Sequence, residues 1–294
     1  MQMLESIRRK IESAEDLYSV VKTMKALSAV NIHVYERAVQ AINKYFQSIE
    51  TGFQIVLKKN PEMLITNNKF GESVTGIIAF GAQKGMAGNF NLPVVNKLKS
   101  WVEKKSTDLK FSPVVCSIGD RIREQLKDAG FSPESSFDFP AFRYHIDNTI
   151  QDLLLVIENW RFQKNVNTIH LFYNKPIRGV LFRPTTLQLF PLDISWLRNV
   201  AKKSWPSRSI PLYTLTTGEL FNHLIRQYFF IILFRAFIES MASENASRLT
   251  TMQKAEQNIE ERLENLNAQF NHQRQKAITD ELLDIVAGFE ALTK

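Results

Sequence analysis

Along the first 59 residues, apolar side chains return at gaps of three and four. Leu4, Ile7, Ile11, Ala14, Tyr18 and Val21 form the stripe, and Met24 and Leu27 extend it. Arg8, Arg9, Lys10 and Glu12 fill the polar side, and neither Pro nor Gly interrupts the run before Gly52. This spacing predicts a helical seam of heptad type, because a strand would alternate every second residue. From about residue 213 the pattern returns at greater length. Leu249, Met252, Ile259, Leu263, Leu266 and Phe270 again step by threes and fours, and after Thr217-Gly218 no Gly or Pro occurs until Gly288. An uninterrupted helix of ~70 residues is ~105 Å long. Such a helix cannot bury its stripe within a compact globule and needs a partner helix along its length.

Between these segments the period changes. Val74–Phe80, Phe111–Ser117, Thr168–Tyr173 and Thr185–Leu189 are short apolar or β-branched runs of strand type. Helical patterns occupy Leu92–Lys104, Arg121–Ala129 and Asp147–Phe162. Strand–helix–strand order implies a small, mainly parallel α/β sheet. The expected fold is therefore α/β: a long antiparallel coiled coil of N- and C-terminal helices, residues 1–59 and 213–294, with a small Rossmann-like α/β domain, residues 60–212, inserted between them. The inserted domain must return the chain to the end it left, hence the antiparallel pairing. Tyr228–Phe234 is apolar around the whole helix, which predicts burial on all sides beneath the sheet. At seven residues it is too short to cross a bilayer, which takes about 20.

Composition changes this picture little. A hydrophobic fraction of 44% and a charged fraction of 23% are ordinary for a folded chain. The net charge of +7 resides in the middle segment, since the first 59 residues carry +3 and residues 213–294 carry −3. Those basic residues are scattered, without the single basic helix or the exposed aromatics of a nucleic-acid binder, so no nucleic-acid partner is expected. The N-terminus runs straight into a helical pattern without an apolar core, so neither a secretory signal nor a transit peptide is expected, nor is direct membrane insertion. Cys116 is the single cysteine; flanked by Val114, Val115 and Ile118, it reads as a buried strand residue and cannot form an internal disulfide.

Local catalytic motifs are missing. The loop Gly81-Ala-Gln-Lys-Gly-Met-Ala-Gly88 could cradle a phosphate with its backbone amides, yet it matches neither G-x-x-x-x-G-K-[ST] nor G-x-G-x-x-G. It reads instead as a tight, closely packed turn. His33, His145, His170, His223 and His272 are scattered and form no metal pair, and Glu260-Glu261 lie on the polar face of the long helix. No G-x-S-x-G elbow is present. Neither a cofactor, a metal nor catalysis by this chain alone is expected.

Two stretches carry a family resemblance. Ile7-Arg-Arg-Lys-Ile11 followed by Met24-Lys25 resembles the opening helix of F-type ATP synthase gamma subunits. Arg235-Ala-Phe-Ile-Glu-Ser-Met-Ala-Ser-Glu-Asn-Ala-Ser-Arg-Leu-Thr-Thr-Met252 is similar to that family's R-x-x-x-E-S-x-A-S-E-x-x-x-R-x-x-x-M segment. Gln269–Leu282, with Ile285, Val286 and Gly288, resembles its closing signature. The resemblance implies a non-catalytic rotor shaft inside a ring of alpha and beta subunits, standing on a membrane c-ring beside an epsilon subunit, on the cytoplasmic face of a bacterial or archaeal membrane. It implies hexamer contact or coupling roles for Met24, Lys25, Arg248, Gln275 and Thr279. A coiled-coil scaffold with an α/β head unrelated to ATP synthesis is the alternative. Gln83-Lys84-Gly85-Met86-Ala87-Gly88 departs from the family's usual D-[RK]-G-L-[CA]-G loop. Ser19 and Val21 replace a commoner Lys and Thr, and Pro176, Arg178 and Gly179 fall where a milder polar segment is usual. These departures point to an alternative form of the enzyme with adapted partners.

Overall fold

The computed structural model describes residues 2–61, 74–105, 113–139, 146–205 and 213–292, with side chains described for 3–287 of these. Eleven elements follow in order: α1 (Gln2–Lys59), β1 (Val74–Phe80), α2 (Leu92–Lys105), β2 (Val114–Ile118), α3 (Asp120–Asp128), β3 (Ser135–Phe137), α4 (Ile146–Gln163), β4 (Val166–Arg178), β5 (Leu181–Phe190), α5 (Ile194–Lys202) and α6 (Thr217–Leu292). The chain divides into two compact units, one of Met1–Ala29 with Arg248–Lys294, the other of Val30–Ser247. Both long helices contribute to both units.

The larger unit is built on a five-stranded sheet of order β3-β2-β1-β4-β5. The first four strands are parallel and β5 returns antiparallel from β4. β1 reads Val-Thr-Gly-Ile-Ile-Ala-Phe, a nearly continuous apolar run, because helices cover both faces of the sheet. Its alternation divides the core. Ile78 and Phe80 join Cys116, Leu171 and Tyr173 against α4 and α6, whereas Ile77 and Ala79 join Val115 and Phe172 against α2 and α3. Gly76 is required where it stands: a Cβ there would lie 2.9 Å from the Trp160 ring of α4. Cys116 is fully buried in β2 as expected, and burial pushes its thiol up to about 12.

Tyr228–Phe234 lies under this sheet. Phe229, Ile232 and Leu233 enter its core, and Tyr228 with Ile231 enters a second cluster with α1 and α5. There Phe53 packs edge-on against Trp196 at 5.7 Å and Phe221 at 5.8 Å. Patterning predicts neither α5 nor β3. α5 is only nine residues long, capped by the Asp193 carboxylate accepting from the Ser195 amide at 2.8 Å. β3 is a three-residue edge strand, too short for any period to show. Phe111 and Ser112 of the second predicted strand lie outside the described residues.

In the smaller unit α1 and α6 pair antiparallel: the Tyr18 hydroxyl donates to Glu260 at 2.8 Å, and the Lys25 ammonium meets Glu256. Ile7 and Val21 from one helix and Met252 and Leu266 from the other are buried, as the periodicity requires. Leu27 is not in this seam. It is 60% exposed, and Ser28 takes the inward position, its hydroxyl donating to the Met24 carbonyl at 2.8 Å. A step of seven from Val21 reaches residue 28, so continuing the stripe through residue 27 overestimates its drift around the helix.

Candidate functional site

The Gly81–Gly88 loop is a structural joint. Gly81 donates to the Ile118 carbonyl at 2.9 Å and Ala82 donates to the Asn91 side chain at 2.7 Å, so the first two loop amides already have protein partners. A Cβ at Gly81 would fall 2.3 Å from Cβ of Ile122, and Gly119 opposite holds φ +105° with its own Cβ position 2.8 Å from the Gly81 carbonyl. Only glycine fits such a crossing. Gln83 donates to Asp120 at 2.9 Å and accepts from the Phe139 amide at 2.9 Å, fixing the loop across the strand ends. The close-packed turn is what the structure shows.

The loop is also tied to α6. Buried Asn174 of β4 donates from its side chain to the Phe90 carbonyl at 2.7 Å, while its own carbonyl accepts from the Ser243 hydroxyl at 3.0 Å. Ser247, one turn on, donates to the Ala87 carbonyl at 2.7 Å. Sheet, loop and α6 are thus joined by a chain of buried and half-buried hydrogen bonds. Beside it, Glu239 is 2% exposed and pairs with Arg235 at 2.9 Å, with Lys175 at 4.0 Å. The Tyr173 hydroxyl faces the same carboxylate; burial first, then that negative charge, push its ionisation far upward. Ser243, Ser247 and Glu239 all sit in the family-like motif of α6. The motif is visible in the sequence, but the partners it binds are not.

The smaller unit holds the residues to which the resemblance gave coupling roles. Lys25 has its ammonium on Glu256, where the pair is mostly withdrawn from solvent, so this charge acts first within the helix pair. Met24, beside it, is half-buried. Arg248 is half-buried on α6, two turns before Glu256. Gln275 and Thr279 are exposed and adjacent on α6, the Thr279 hydroxyl donating to the Gln275 carbonyl at 2.9 Å. The structure therefore gathers Met24 and Lys25 at one level of the pair and places Gln275 and Thr279 at another. The sequence places Tyr18 in the apolar stripe and Glu260 on the polar face and leaves Glu256 unremarked; that Tyr18 bonds to Glu260 and Lys25 to Glu256 across the seam is visible only in the fold. The signal left in the sequence is a polar residue at a seam position, Lys25, which demands a partner.

Two further surfaces belong to this unit. An open groove of about 750 Å³ is lined by Ala14, Leu17 and Leu266 together with the charged Glu5, Arg9, Lys10 and Arg262. Beyond it Ile278, Leu282, Leu283, Ile285 and Val286 are each 47–68% exposed and, at 100° per residue, form one broad apolar face on α6. Among the described residues no group of three His, Cys, Asp or Glu is placed to hold a metal, and no helix is long and apolar enough to cross a membrane. His170 packs on Trp101 at 4.7 Å; burial, and then Lys105, lower it to about 4. His145 lies outside the described residues.

The sequence profile of the family described as ATP synthase matches residues 3–292. The chain belongs to the ATP synthase gamma family. It is similar to the ATP synthase gamma chain of Malacoplasma penetrans, at 24% identity over 98% of this chain and 99% of that protein. The gamma chain of Ehrlichia canis is 26% identical over 99% and 100%. In structure it is similar to the rotor of the Euglena gracilis mitochondrial ATP synthase, with a TM-score of 0.61 at 13% identity, over 94% of this chain and 99% of that one. A second similarity is to a chain of the Euglena gracilis OSCP/F1/c-ring assembly, with a TM-score of 0.63 at 12% identity, over 99% of this chain and 95% of that one. As a gamma-family chain it is a non-catalytic subunit, the central stalk of a rotary ATP synthase.

Proposed function

We propose that the chain is the rotating shaft that couples ion flow through a membrane c-ring to ATP synthesis or hydrolysis in an alpha–beta hexamer, on the cytoplasmic face of the membrane and beside an epsilon subunit. The observation that carries this reading is the apolar face of α6 from Ile278 to Val286, more than half exposed at most of its positions. A contiguous apolar helix face of this kind is covered by a partner. A sleeve formed by the hexamer would cover it while leaving the helix free to turn. Gln275 and Thr279, exposed just before that face, are the residues we assign to hexamer contact. Met24 and Arg248 are assigned to the same contact nearer the paired seam. Lys25 supports it through Glu256. Similar solved structures are part of a central stalk with its c-ring and of an assembly of F1, OSCP and c-ring, in support of these partners.

Rotation needs unequal faces. A shaft that offered the same surface at every angle would stabilise every hexamer state equally and could shift none of them. The smaller unit meets that requirement: a charged groove lies at Glu5, Arg9, Lys10 and Arg262, whereas Val20 and Leu27 present exposed aliphatic side chains. Reconstitution with alpha and beta subunits tests the reading, with a bead fixed to the α/β unit and ATP supplied. Stepwise rotation is the expected result. Folded subunits that never assemble would refute the shaft and favour an unrelated scaffold.

A further inference from the structure

Along α6, three polar residues reach from one face of the helix to the sheet and its loop. Glu239, Ser243 and Ser247 follow at i, i+4 and i+8, within about 80° of the helix circumference. Glu239 meets Lys175 at 4.0 Å and faces the Tyr173 hydroxyl. Ser243 donates to the Asn174 carbonyl at 3.0 Å, and Ser247 donates to the Ala87 carbonyl at 2.7 Å. Their partners are fixed. Residues 173–175 are consecutive on β4 and paired with β5, and Asn174 in turn holds the Phe90 carbonyl. Ala87 belongs to the loop pinned by Gly81, Gln83 and Asn91.

These ties stand in the last turns of α6 before Arg248, where the helix leaves the larger unit. N-terminal to them the helix is held by apolar contact. Phe237 meets Phe80 at 5.0 Å and Phe139 at 5.4 Å, and Phe229, Ile232 and Leu233 enter the same core. Apolar contact is non-directional, so it holds a helix onto a sheet but fixes its roll only through shape. A hydrogen bond depends on distance and angle together. A roll of about 30° carries a serine oxygen about 2 Å around the helix axis, enough to break its bond. Three polar ties spread over two turns, each aimed at a fixed partner, therefore select one roll angle.

We propose that Glu239, Ser243 and Ser247 are a rotational key, positioning residues that fix the roll of α6 on the sheet and stiffen the shaft against twist where it leaves the rigid body. A buried ion pair adds little net stability over apolar packing, and orientation is what this one supplies. The stiffness claim rests on the shaft reading; the roll claim does not. Spin labels at Lys97→Cys on α2 and Lys254→Cys on α6, both exposed positions, read the roll in the isolated full chain, where buried Cys116 stays unlabelled. Ser243→Ala with Ser247→Ala should widen the distance distribution about 1.4-fold. In the complex with alpha and beta subunits, held by the hexamer without ATP, a bead on the larger unit reports stiffness. Its angular variance is inverse to that stiffness and should rise about twofold in the same variant. Ser247→Thr, which keeps the hydroxyl, should match the wild type in both measurements. Phe237→Leu, which lowers stability through the core, should change neither by more than about 1.2-fold. An unchanged distribution in the double variant would overturn the key, as would equal widening in Phe237→Leu. A widened distribution with unchanged bead variance would overturn its part in shaft stiffness. Wild-type complexes that assemble yet never turn with ATP would refute the shaft reading instead, and the spin labels would still decide the roll.

Discussion

The two units of this chain solve burial in opposite ways. The sheet unit encloses Trp160, Phe80, Phe90, Phe172 and Phe237 almost completely, with α6 as one of its walls. The helix-pair unit buries only Ile7, Val21, Ser28, Met252 and Leu266 among its described residues and holds register with Lys25–Glu256 and Tyr18–Glu260. It also exposes Leu17, Val20, Leu27 and the Ile278–Val286 face. Hydrophobic stabilisation follows buried apolar area. The sheet unit is therefore stable by its own core, whereas the helix pair, with little apolar area buried, is thinly stabilised. The proposed rotation calls for both properties: a rigid body to carry torque and a surface completed by another protein.

The contrast breaks most visibly in the sheet. Trp160→Ala empties the largest fully buried side chain, which covers Gly76, and should cost about 3–5 kcal/mol in a denaturant titration. Asn174→Ala comes next, because it strands the buried Phe90 carbonyl. It should cost about 1–3 kcal/mol and speed hydrogen exchange at residues 87–91 before the rest of the sheet. The helix pair should respond less. A double-mutant cycle of Lys25→Met and Glu256→Gln should give a coupling of about 1 kcal/mol, a value that an exposed pair such as Arg8–Glu12 should not reach. Gln275→Ala with Thr279→Ala should leave stability of the isolated chain within about 0.5 kcal/mol while weakening assembly with the hexamer.

A pH titration sharpens the sheet side. His170 is held at about 4 in the fold against 6.5 when unfolded, by burial and then by Lys105. Above 6.5 neither state binds the proton. As pH falls below that, the unfolded chain takes it up first, so stability declines and levels off near 4. His170→Asn should remove that component from the stability curve, as seen by comparing the two proteins across this window.

The long elements are legible because each carries many periods of its pattern. β1 matches at both ends, and α2, α3 and α4 match to within one residue, since Val74–Phe80 and the helical stripes fill complete faces. Pattern fails where an element is short, as in β3, or where tertiary contact sets its role. α5 has only Leu197 and Val200 buried, and its place depends on Phe53 and Glu50, more than 140 residues away. The seam beyond Val21 shows the same limit: a small Ser28 inside and a large Leu27 outside invert what hydrophobicity alone would choose. For the residues proposed to couple to the hexamer, the motif points to Met24, Lys25, Arg248, Gln275 and Thr279. That Lys25 engages Glu256 depends on the pairing register, which only the folded helices supply.

Hydrogen exchange of the full chain, alone and bound to an alpha–beta hexamer, reaches the contrast most directly. Alone, amides of the helix pair should exchange far faster than those of β1 and β4. Bound, protection should rise within residues 248–292, most strongly across 275–286, and change little in the sheet. A helix pair already as protected as the sheet, or unaltered by the hexamer, would contradict a stalk whose surface is completed by its partner.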